Sequence, residues 1–350
     1  MDVFFRKRRT GILFSPESKF LEPQFEVFMH RKPDIGDLNS YVKLQISGET
    51  IHSFTVSSRE LFQEHLIDNL EIPEPLKGTL TDCLSQSFSV QKSTRVMAII
   101  NATPDSFYSG SRLVNDFHTI DRILDSKPDI IDIGGESTRP GSVEISSEEE
   151  ISRVKPIMEY ISGSSDTEIS LDTRHPEVLD RFADRINYAN DITGFSSEEM
   201  IRIALEHNLE CIVMHMRGSP QTMSSMMEYS DLEYEIIRFL FERVGTLSKH
   251  GIPEKNIIID PGIGFAKNSA QSLSILRNIA SFKFGYRVLL GASRKSFLGK
   301  IVNKPERDRL GASIGAAVWG TINGVDILRV HDPWETRQAL DIVKAILDHY

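Results

Sequence analysis

A (β/α)8 barrel, preceded by a small α+β domain, is the fold that this sequence predicts. After residue 94, short runs rich in β-branched and other apolar residues alternate with stretches of helical periodicity. Near-continuous apolar strands separated by amphipathic helices are typical of parallel strands joined by right-handed crossovers. Eight such runs match a closed TIM-type barrel. They are residues 96–100, 130–133, 168–171, 188–190, 211–215, 256–259, 287–290 and 326–330.

The end of the first run argues against the main competing architecture. A doubly wound sheet normally carries a G-x-G-x-x-G turn after its first strand. Here the first run ends in Asn101-Ala102-Thr103-Pro104-Asp105 instead. The barrel therefore remains the better prediction.

The stretches between the runs carry helix signals. Ser147-x-x-Glu150 matches a capping box ahead of apolar residues at helical spacing. Pro176 suits the first turn of the next helix, where its missing N–H costs nothing. Residues 201–205 and 232–247 show the same helical period. These signals predict a helix after most of the strands.

The N-terminal part of the chain follows a different pattern. Residues 41–46 and 51–56 alternate across a Ser47-Gly48-Glu49 turn, which predicts a β-hairpin. A helix is predicted to begin at Ser57-x-x-Glu60 and to end before Pro73. We therefore divide the chain into a small α+β domain at residues 1–90, with no motif that assigns it chemistry, and a barrel at residues 91–350.

Composition narrows the class of protein. With 350 residues, of which 40% are hydrophobic and 26% charged, the chain is typical of a globular protein. A net charge of -10 argues against a general nucleic-acid binder, and the longest apolar runs are too short to span a bilayer. The N-terminus lacks the apolar core of a signal peptide, and the two cysteines suggest neither a disulfide framework nor a zinc site. We expect a cytoplasmic protein.

Polar residues follow every predicted barrel strand. The carboxyl ends of barrel strands meet at one mouth, so residues far apart in sequence become neighbours there. Taken singly, Asp172 and Asn190 could merely cap the next helices, and His331 could bond its own turn. A contribution from every strand instead predicts an active site. The residues are Asn101, Asp105, Glu136, Thr138, Arg139, Asp172, Asn190, Asp191, Met214, His215, Asp260, Ser293, Arg294, Lys295, Ser296, Arg329 and His331.

Two kinds of chemistry are present at this predicted mouth. One group offers donors and acceptors that match the edge of a flat, nitrogen-rich heterocycle; it comprises Asp172, Asn190, Asp260 and Lys295. The other can grip an anionic leaving group, with Mg²⁺ shared between Asn101 and phosphate oxygens. It comprises Asn101, Thr138, Arg139, Arg329 and His331. A heterocycle beside a diphosphate is a substrate for group transfer.

These residues stand in motifs that resemble the dihydropteroate synthase family from about Arg95 to Tyr350. That family joins 6-hydroxymethyl-7,8-dihydropterin diphosphate to p-aminobenzoate and releases pyrophosphate. Any single motif could arise by chance, but the set is specific. The motifs begin at Asn101 (NATPDSF), Gly134 (GGESTRPG), Ser170 (SLDT), Asn190 (ND), Asp260 (DPGIGF), Ser293 (SRKSFLG) and Arg329 (RVHD).

The resemblance implies roles for individual positions. Pterin binding falls to Asp172, Asn190, Met214, Asp260, Lys295 and Arg329, and the anion site to Asn101, Thr138, Arg139, Arg329 and His331. The acceptor amine would lie among Phe107, Pro140, Phe265 and Ser296, and Asn101 would hold Mg²⁺. The catalytic set would be Asp172, Lys295, Arg329 and His331. The family's mechanism resembles dissociative substitution, its members commonly dimerise through barrel helices, and sulfonamides imitate its amine.

The chain departs from the family pattern near the acceptor side. Tyr108-Ser109-Gly110-Ser111 replaces the usual Ser-Asp-Gly-Gly, and Ala266 stands where glycine is usual. A related synthase that uses another arylamine, such as a phosphoribosylated aminobenzene, therefore remains an alternative. A pterin-dependent methyltransferase would not need the Ser-Arg-Lys and Arg-x-His groups. A pterin-binding module without activity is the third alternative.

Overall fold

The computed structural model describes residues 3–8, 24–29, 42–46, 49–57, 94–102, 114–163, 167–283 and 285–348. By the contacts within it, the chain divides into two compact units. One contains the four N-terminal strands together with residues 228–238 and 277–285, and the other contains the barrel.

The N-terminal strands form one antiparallel sheet. They are β1 (Val3–Arg8), β2 (Gln24–Met29), β3 (Val42–Ile46) and β4 (Glu49–Ser57), in the order β1-β2-β4-β3. The predicted hairpin is confirmed, because β3 and β4 pair in antiparallel register. The first two strands were not predicted, since the basic run in β1 hides its alternation. The helix predicted from Ser57 lies outside the described residues.

The remaining strands confirm the (β/α)8 barrel. Eight parallel strands close in sequence order, each hydrogen-bonded to the next along the chain and the last to the first. Each lies within two residues of its predicted position. They are β5 (Arg95–Asn101), β6 (Ile130–Gly134), β7 (Glu168–Asp172), β8 (Tyr188–Asp191), β9 (Glu210–Met214), β10 (Ile257–Asp260), β11 (Arg287–Leu290) and β12 (Ile327–Val330).

Helices connect consecutive barrel strands, with two between β11 and β12. Among the described residues they are α1 (Val114–Asp125), α2 (Ser147–Ser162), α3 (Pro176–Phe182), α4 (Glu198–Glu206), α5 (Leu232–Lys249), α6 (Ser269–Arg277), α7 (Ser296–Val302), α8 (Leu310–Ile322) and α9 (Pro333–Asp348). Within the described part of the chain, no helix combines the length and apolarity needed to cross a membrane.

The capping box predicted for α2 is wrong by one residue. Ser146 is the N-cap, and its hydroxyl accepts a hydrogen bond from the Glu149 N–H. Glu150 is fully buried instead, where its Oε2 accepts hydrogen bonds from Thr173 Oγ1 at 3.1 Å and pairs with His175 Nδ1 at 2.7 Å. Glu150 therefore makes tertiary contacts and does not take part in capping α2. The prediction for Pro176 is confirmed, because it occupies the first turn of α3.

The amino end of the barrel contains apolar packing and an ion-pair network. A buried apolar cluster fills this region; it comprises Met97, Ile130, Tyr188, Ile212, Ile258, Leu289 and Ile327. At the first residues of their strands, Arg95 Nη2 lies 2.6 Å from Glu168 Oε2, and Arg95 Nη1 donates to the Tyr188 hydroxyl at 2.7 Å. This network occupies the opposite end of the strands from the predicted mouth.

Candidate active site

Strand register brings the polar strand ends to one level. Asn101 pairs with Gly134, Gly134 pairs with Asp172, and Asp172 pairs with Asn190 across four neighbouring strands. On the far side of the barrel, Asp260 lies opposite Met214. Because all these strands are parallel, the side chains share one mouth. The strand ends therefore meet at one mouth as expected, and the roles of the individual residues stay predictions.

Arg329 joins residues that are predicted to bind the pterin, through two carboxylates. Its Nε donates to Asp132 Oδ2 at 2.6 Å, and its Nη2 donates to Asp172 Oδ2 at 2.6 Å. Asp132 also accepts hydrogen bonds from Ser170 Oγ at 2.6 Å and from Asn190 Nδ2 at 3.3 Å. A forked guanidinium can hold both carboxylates in fixed positions. The network orients Asp172 and Asn190 toward the mouth.

Asp132 was missed as a site residue. It is fully buried, and it lies in the apolar run Ile130-Ile131-Asp132-Ile133 of β6. A charged residue inside a buried strand is rarely tolerated without a partner. That signal was available in the sequence, but the identity of the partner, Arg329, depends on the closure of the barrel.

The charges in this network shift each other's pKa values. Burial raises the pKa of Asp172 to about 7; Arg329 opposes that rise, whereas Asp132 adds to it. Burial alone would lower the pKa of Arg329, but Asp132 and Asp172 raise it above its ordinary value. The guanidinium is therefore a permanent cation, and Asp172 changes charge near neutral pH.

Asp260 and Lys295, two further residues that are predicted to bind the pterin, lie on the other side of the mouth. Asp260 Oδ1 accepts the Gly262 N–H at 2.7 Å, and Lys295 Nζ donates to the Ile263 carbonyl. The same Nζ lies 4.3 Å from the centre of the Phe265 ring. Burial raises the pKa of Asp260, with Lys295 opposing that rise. Burial lowers the pKa of Lys295 to about 8, with Asp260 opposing that fall.

The loop after β10 is fixed by a buried lysine. Lys267 Nζ donates to the Gly262 and Phe265 carbonyls, each at 2.9 Å, and lies 2.9 Å from His215 Nδ1. A Cβ on Gly262 would come within 2.0 Å of the His215 carbonyl oxygen, so only glycine fits there. Ala266 adopts a φ of 49°, in the left-handed region that glycine prefers, which accounts for the family's usual residue at this position. His215 thus supports the loop that carries Phe265.

His331 is held as a neutral imidazole on the anion side. Its backbone N–H donates to Ser293 Oγ at 3.2 Å, and its Nδ1 lies 3.2 Å from the same hydroxyl. Burial, together with the positive charges of Arg329 and Arg294, lowers the pKa of His331 to about 4. Arg294 itself forms a forked ion pair with Asp332. Near pH 7, His331 can therefore act on an anion as a hydrogen-bond donor without carrying a charge.

The loop after β6 brings further groups to the anion side. Thr138 is half-buried, whereas Arg139 and Pro140 are exposed. Arg139 Nη2 lies 2.8 Å from Glu306 Oε1, and its charge contributes to lowering the pKa of His331. Ser296 is the exposed first residue of α7. Phe107 lies outside the described residues, so its predicted role stays a prediction.

The alternative that Asp172 and Asn190 merely cap helices is wrong. His175 is the N-cap of α3, and Ser197 caps α4 by accepting from the Met200 N–H. Asp191, by contrast, does have a local role, because it accepts from the Thr193 N–H at 2.7 Å and the Phe195 N–H at 2.9 Å. Asn190 therefore remains a predicted site residue, whereas Asp191 stabilises the turn after β8.

The donor set also fits a magnesium ion held largely by its substrate. Asn101 is half-buried at the end of β5 and supplies an amide oxygen, a hard ligand of the kind that Mg²⁺ prefers. Within the described ranges, no group of three or more His, Cys, Asp or Glu side chains could hold a metal ion. Mg²⁺ commonly keeps several waters and takes one or two protein ligands plus substrate phosphates. The Asn101 amide oxygen, together with substrate phosphate oxygens and waters, would match this coordination.

Known proteins match this chain over most of its length. Residues 97–331 match the family model of the pterin binding enzymes. The chain is 38% identical over 257 residues to dihydropteroate synthase from Escherichia coli K12, covering 72% of this chain and 91% of the relative. It is 35% identical over 295 residues to the Bacillus subtilis dihydropteroate synthase, covering 81% and 97%.

Solved structures agree in both fold and sequence. The Yersinia pestis dihydropteroate synthase, solved with a sulfonamide drug complex, matches with a TM-score of 0.69 and 34% identity, covering 75% of this chain and 97% of the other. The Thermus thermophilus enzyme in complex with 4-aminobenzoate matches with a TM-score of 0.66 and 30% identity, covering 75% and 97%. The chain belongs to the dihydropteroate synthase family of pterin-binding enzymes.

Proposed function

We propose that this chain joins 6-hydroxymethyl-7,8-dihydropterin diphosphate to p-aminobenzoate, giving 7,8-dihydropteroate and pyrophosphate. The observation that carries this proposal is the position of Arg329. It pairs with Asp132 and Asp172 on the pterin side, and its charge also reaches His331 on the anion side. One cation thus lies between a heterocycle site and a phosphate site.

The pterin edge is bound by side chains that are already desolvated. Asn190, Asp260 and Met214 are buried, and Asp172 and Lys295 are half-buried beside them. Carboxylates accept hydrogen bonds from the N–H groups of the ring, and Lys295 donates to its acceptors. An unmatched polar group would be costly to bury here, so the site selects the donor and acceptor pattern of the pterin.

The anion side stabilises the departing pyrophosphate. Arg329, Arg139 and Thr138 donate to its oxygens, and neutral His331 adds a further hydrogen bond. Asn101 would contribute a ligand to Mg²⁺, which when bound neutralises charge on the leaving group. The bond between the pterin methylene carbon and the diphosphate oxygen breaks first. The amine nitrogen then attacks that carbon and loses a proton.

The acceptor amine lies against loops rather than strands. Phe265 offers an apolar ring face beside the Lys295 ammonium, and Pro140 and Ser296 are exposed at the mouth. An amine bound here would approach the pterin methylene carbon from the open side of the mouth. The same pocket would accept sulfonamides as substitutes for p-aminobenzoate.

Pyrophosphate release tests the proposal most directly. Purified protein is given dihydropterin diphosphate and Mg²⁺, with and without p-aminobenzoate, and both pyrophosphate and dihydropteroate are measured. Release that depends on the amine, with dihydropteroate as product, supports the synthase. Turnover only with a phosphoribosylated aminobenzene would favour the alternative acceptor. No release with either amine would contradict the synthase and favour a methyltransferase or a binding module.

Pterin binding should weaken when the charged side chain of either Asp172 or Lys295 is removed. Asp172→Ala and Lys295→Ala are each expected to weaken pterin binding by about 1–3 kcal/mol, because each leaves a buried group of the heterocycle without a partner. Calorimetric titration with the free pterin alcohol measures the loss. Unchanged affinity in both variants would contradict the assignment of the pterin side.

Arg139 should matter for the diphosphate and the amine but not for the pterin. Arg139→Ala is expected to raise the KM values of both substrates by about 5-fold, a modest effect because its side chain is 69% exposed. Affinity for the free pterin alcohol should stay unchanged. Arg307→Ala removes a guanidinium that is still more exposed, at 86%, and serves as control. An equal loss for diphosphate and alcohol would contradict the two-sided site.

We also infer a homodimer, acting in the cytoplasm. Large apolar side chains are exposed on α7, α8 and α9, and α8 packs against both of the other helices, so a partner subunit that covered this face would remove apolar surface from water. They include Ile301, Val302, Ile322, Trp334, Ile342 and Ile346. Light scattering coupled to size exclusion should give twice the chain mass of 39.6 kDa.

A further inference from the structure

The loop between β6 and α2 presents three residues of the proposed site without regular secondary structure. It runs from Gly135 to Ser146 and carries Thr138, Arg139 and Pro140. A loop of this kind positions functional groups only as well as its own side-chain contacts allow. What holds it in place therefore bears directly on the anion and acceptor sites.

Arg174 joins the two ends of this loop. It lies in the turn after β7, and its Nε and Nη2 donate to the two carboxylate oxygens of Glu136 at 2.8 and 3.0 Å. The same Nη2 lies 2.9 Å from Glu144 Oε1. Glu136 Oε1 in turn accepts the backbone N–H of Ile145 at 3.3 Å. One guanidinium thus connects the start of the loop, at Glu136, with its end, at Glu144 and Ile145.

The burial of these groups makes the connection firm. The side chain of Glu136 is only 7% exposed and that of Arg174 is 21% exposed, so water screens their forked ion pair weakly. Glu144 is 55% exposed and adds a weaker second anchor. The Glu136 hydrogen bond is the main cause that raises the pKa of Arg174 above its ordinary value. The guanidinium therefore stays charged around neutral pH, where activity would be measured.

The middle of the loop is held from other directions. The Gly141 N–H donates to the Pro220 carbonyl at 2.9 Å, and Arg139 pairs with Glu306. These contacts involve one backbone hydrogen bond and one exposed ion pair. Neither joins the two ends of the loop, which are held together by Arg174 and by the hydrogen bond from the Ile145 N–H to Glu136, the residue that Arg174 fixes.

We propose that Arg174 is a positioning residue that clamps both ends of the β6–α2 loop through Glu136 and Glu144, and so sets Thr138, Arg139 and Pro140 against the diphosphate and the amine. The inference rests on the proposed function for its kinetic consequences, but not for the clamp itself. Glu136 accordingly serves the clamp and is not a group that contacts substrate.

The test compares Arg174→Ala and Arg174→Lys with Arg202→Ala. Arg202 also bridges two glutamates, Glu199 and Glu206, but on the exposed surface of α4. Hydrogen exchange of the amides at residues 137–145 is measured without substrates. In parallel, kcat and both KM values are measured, together with the Kd of the free pterin alcohol.

Arg174→Ala is expected to speed exchange in the loop by about 10-fold or more, and to lower kcat/KM by about 10- to 100-fold through misplaced loop residues. The Kd of the pterin alcohol should change by less than about 2-fold, because Asp172, Asn190 and Asp260 do not depend on this loop. Arg174→Lys should recover part of the loss, since an ammonium can reach one carboxylate but lacks the fork. Arg202→Ala should match the wild type.

Unchanged loop exchange in Arg174→Ala would overturn the proposal, and so would an equal loss of pterin-alcohol binding, because that pattern indicates general disruption. If Arg174→Ala does not fold, Glu144→Gln replaces it, with smaller changes expected in the same direction and unchanged exchange again overturning the clamp. If the wild type makes no dihydropteroate, the proposed function fails, while loop exchange still decides the role of Arg174.

Discussion

Replacing Asp132 with alanine is expected to lower the free energy of unfolding by about 3–5 kcal/mol and to abolish turnover. The carboxylate is fully buried, and its removal leaves Arg329 Nε, Ser170 Oγ and Asn190 Nδ2 without the acceptor they share. A buried charge that loses a partner costs far more than the pair contributes. Urea unfolding of both proteins measures the difference.

A second variant separates charge from packing at this position. Asp132→Asn keeps the shape of the side chain but removes a negative charge that helps to raise the pKa of Asp172. The acid limb of its pH–rate profile should therefore move to lower pH. Asp129→Asn is the matched control, because Asp129 pairs with Arg337 at the opposite end of the barrel. If Asp132→Ala has the same free energy of unfolding as the wild type, the role assigned to this carboxylate is refuted.

The second large effect concerns pH. The profile of kcat/KM should be bell-shaped and narrow, with its maximum between pH 7 and pH 8, because burial raises the pKa of Asp172 to about 7 and lowers that of Lys295 to about 8. Asp172 accepts hydrogen bonds from the pterin only when ionised, so activity falls as pH drops through 7. Lys295 donates as an ammonium, so activity falls again as pH rises through 8.

Each limb can be assigned with one variant. Asp172→Asn should lose the acid limb, since an amide does not titrate. Lys295→Arg should move the alkaline limb far upward, because a guanidinium stays protonated. His331 adds no limb near neutrality, since burial lowers its pKa to about 4. A flat wild-type profile from pH 6 to pH 9 would contradict the electrostatics of the pterin side.

Much of the fold and of the site was determined by local features of the sequence. Eight apolar runs with helical stretches between them permit few arrangements besides a parallel barrel. Once the barrel is accepted, its topology alone brings Asn101, Asp172, Asn190 and Asp260 to one mouth, because parallel strands end at the same side. The motifs at these strand ends are specific enough to indicate the family without coordinates. Strand ends were accurate to two residues, since β-branched runs end sharply at polar ones.

Other features depended on contacts between distant segments, which no local pattern encodes. Ser146, rather than the predicted Ser147, caps α2. Glu150 contacts Thr173 and His175 in the turn after β7 and so takes no part in the cap. The barrel, and the strand ends at which polar groups gather, follow from local sequence patterns. The carboxylate that each arginine holds, Asp132 for Arg329 and Glu136 for Arg174, does not, because ion pairing depends on distances and burial across the closed barrel.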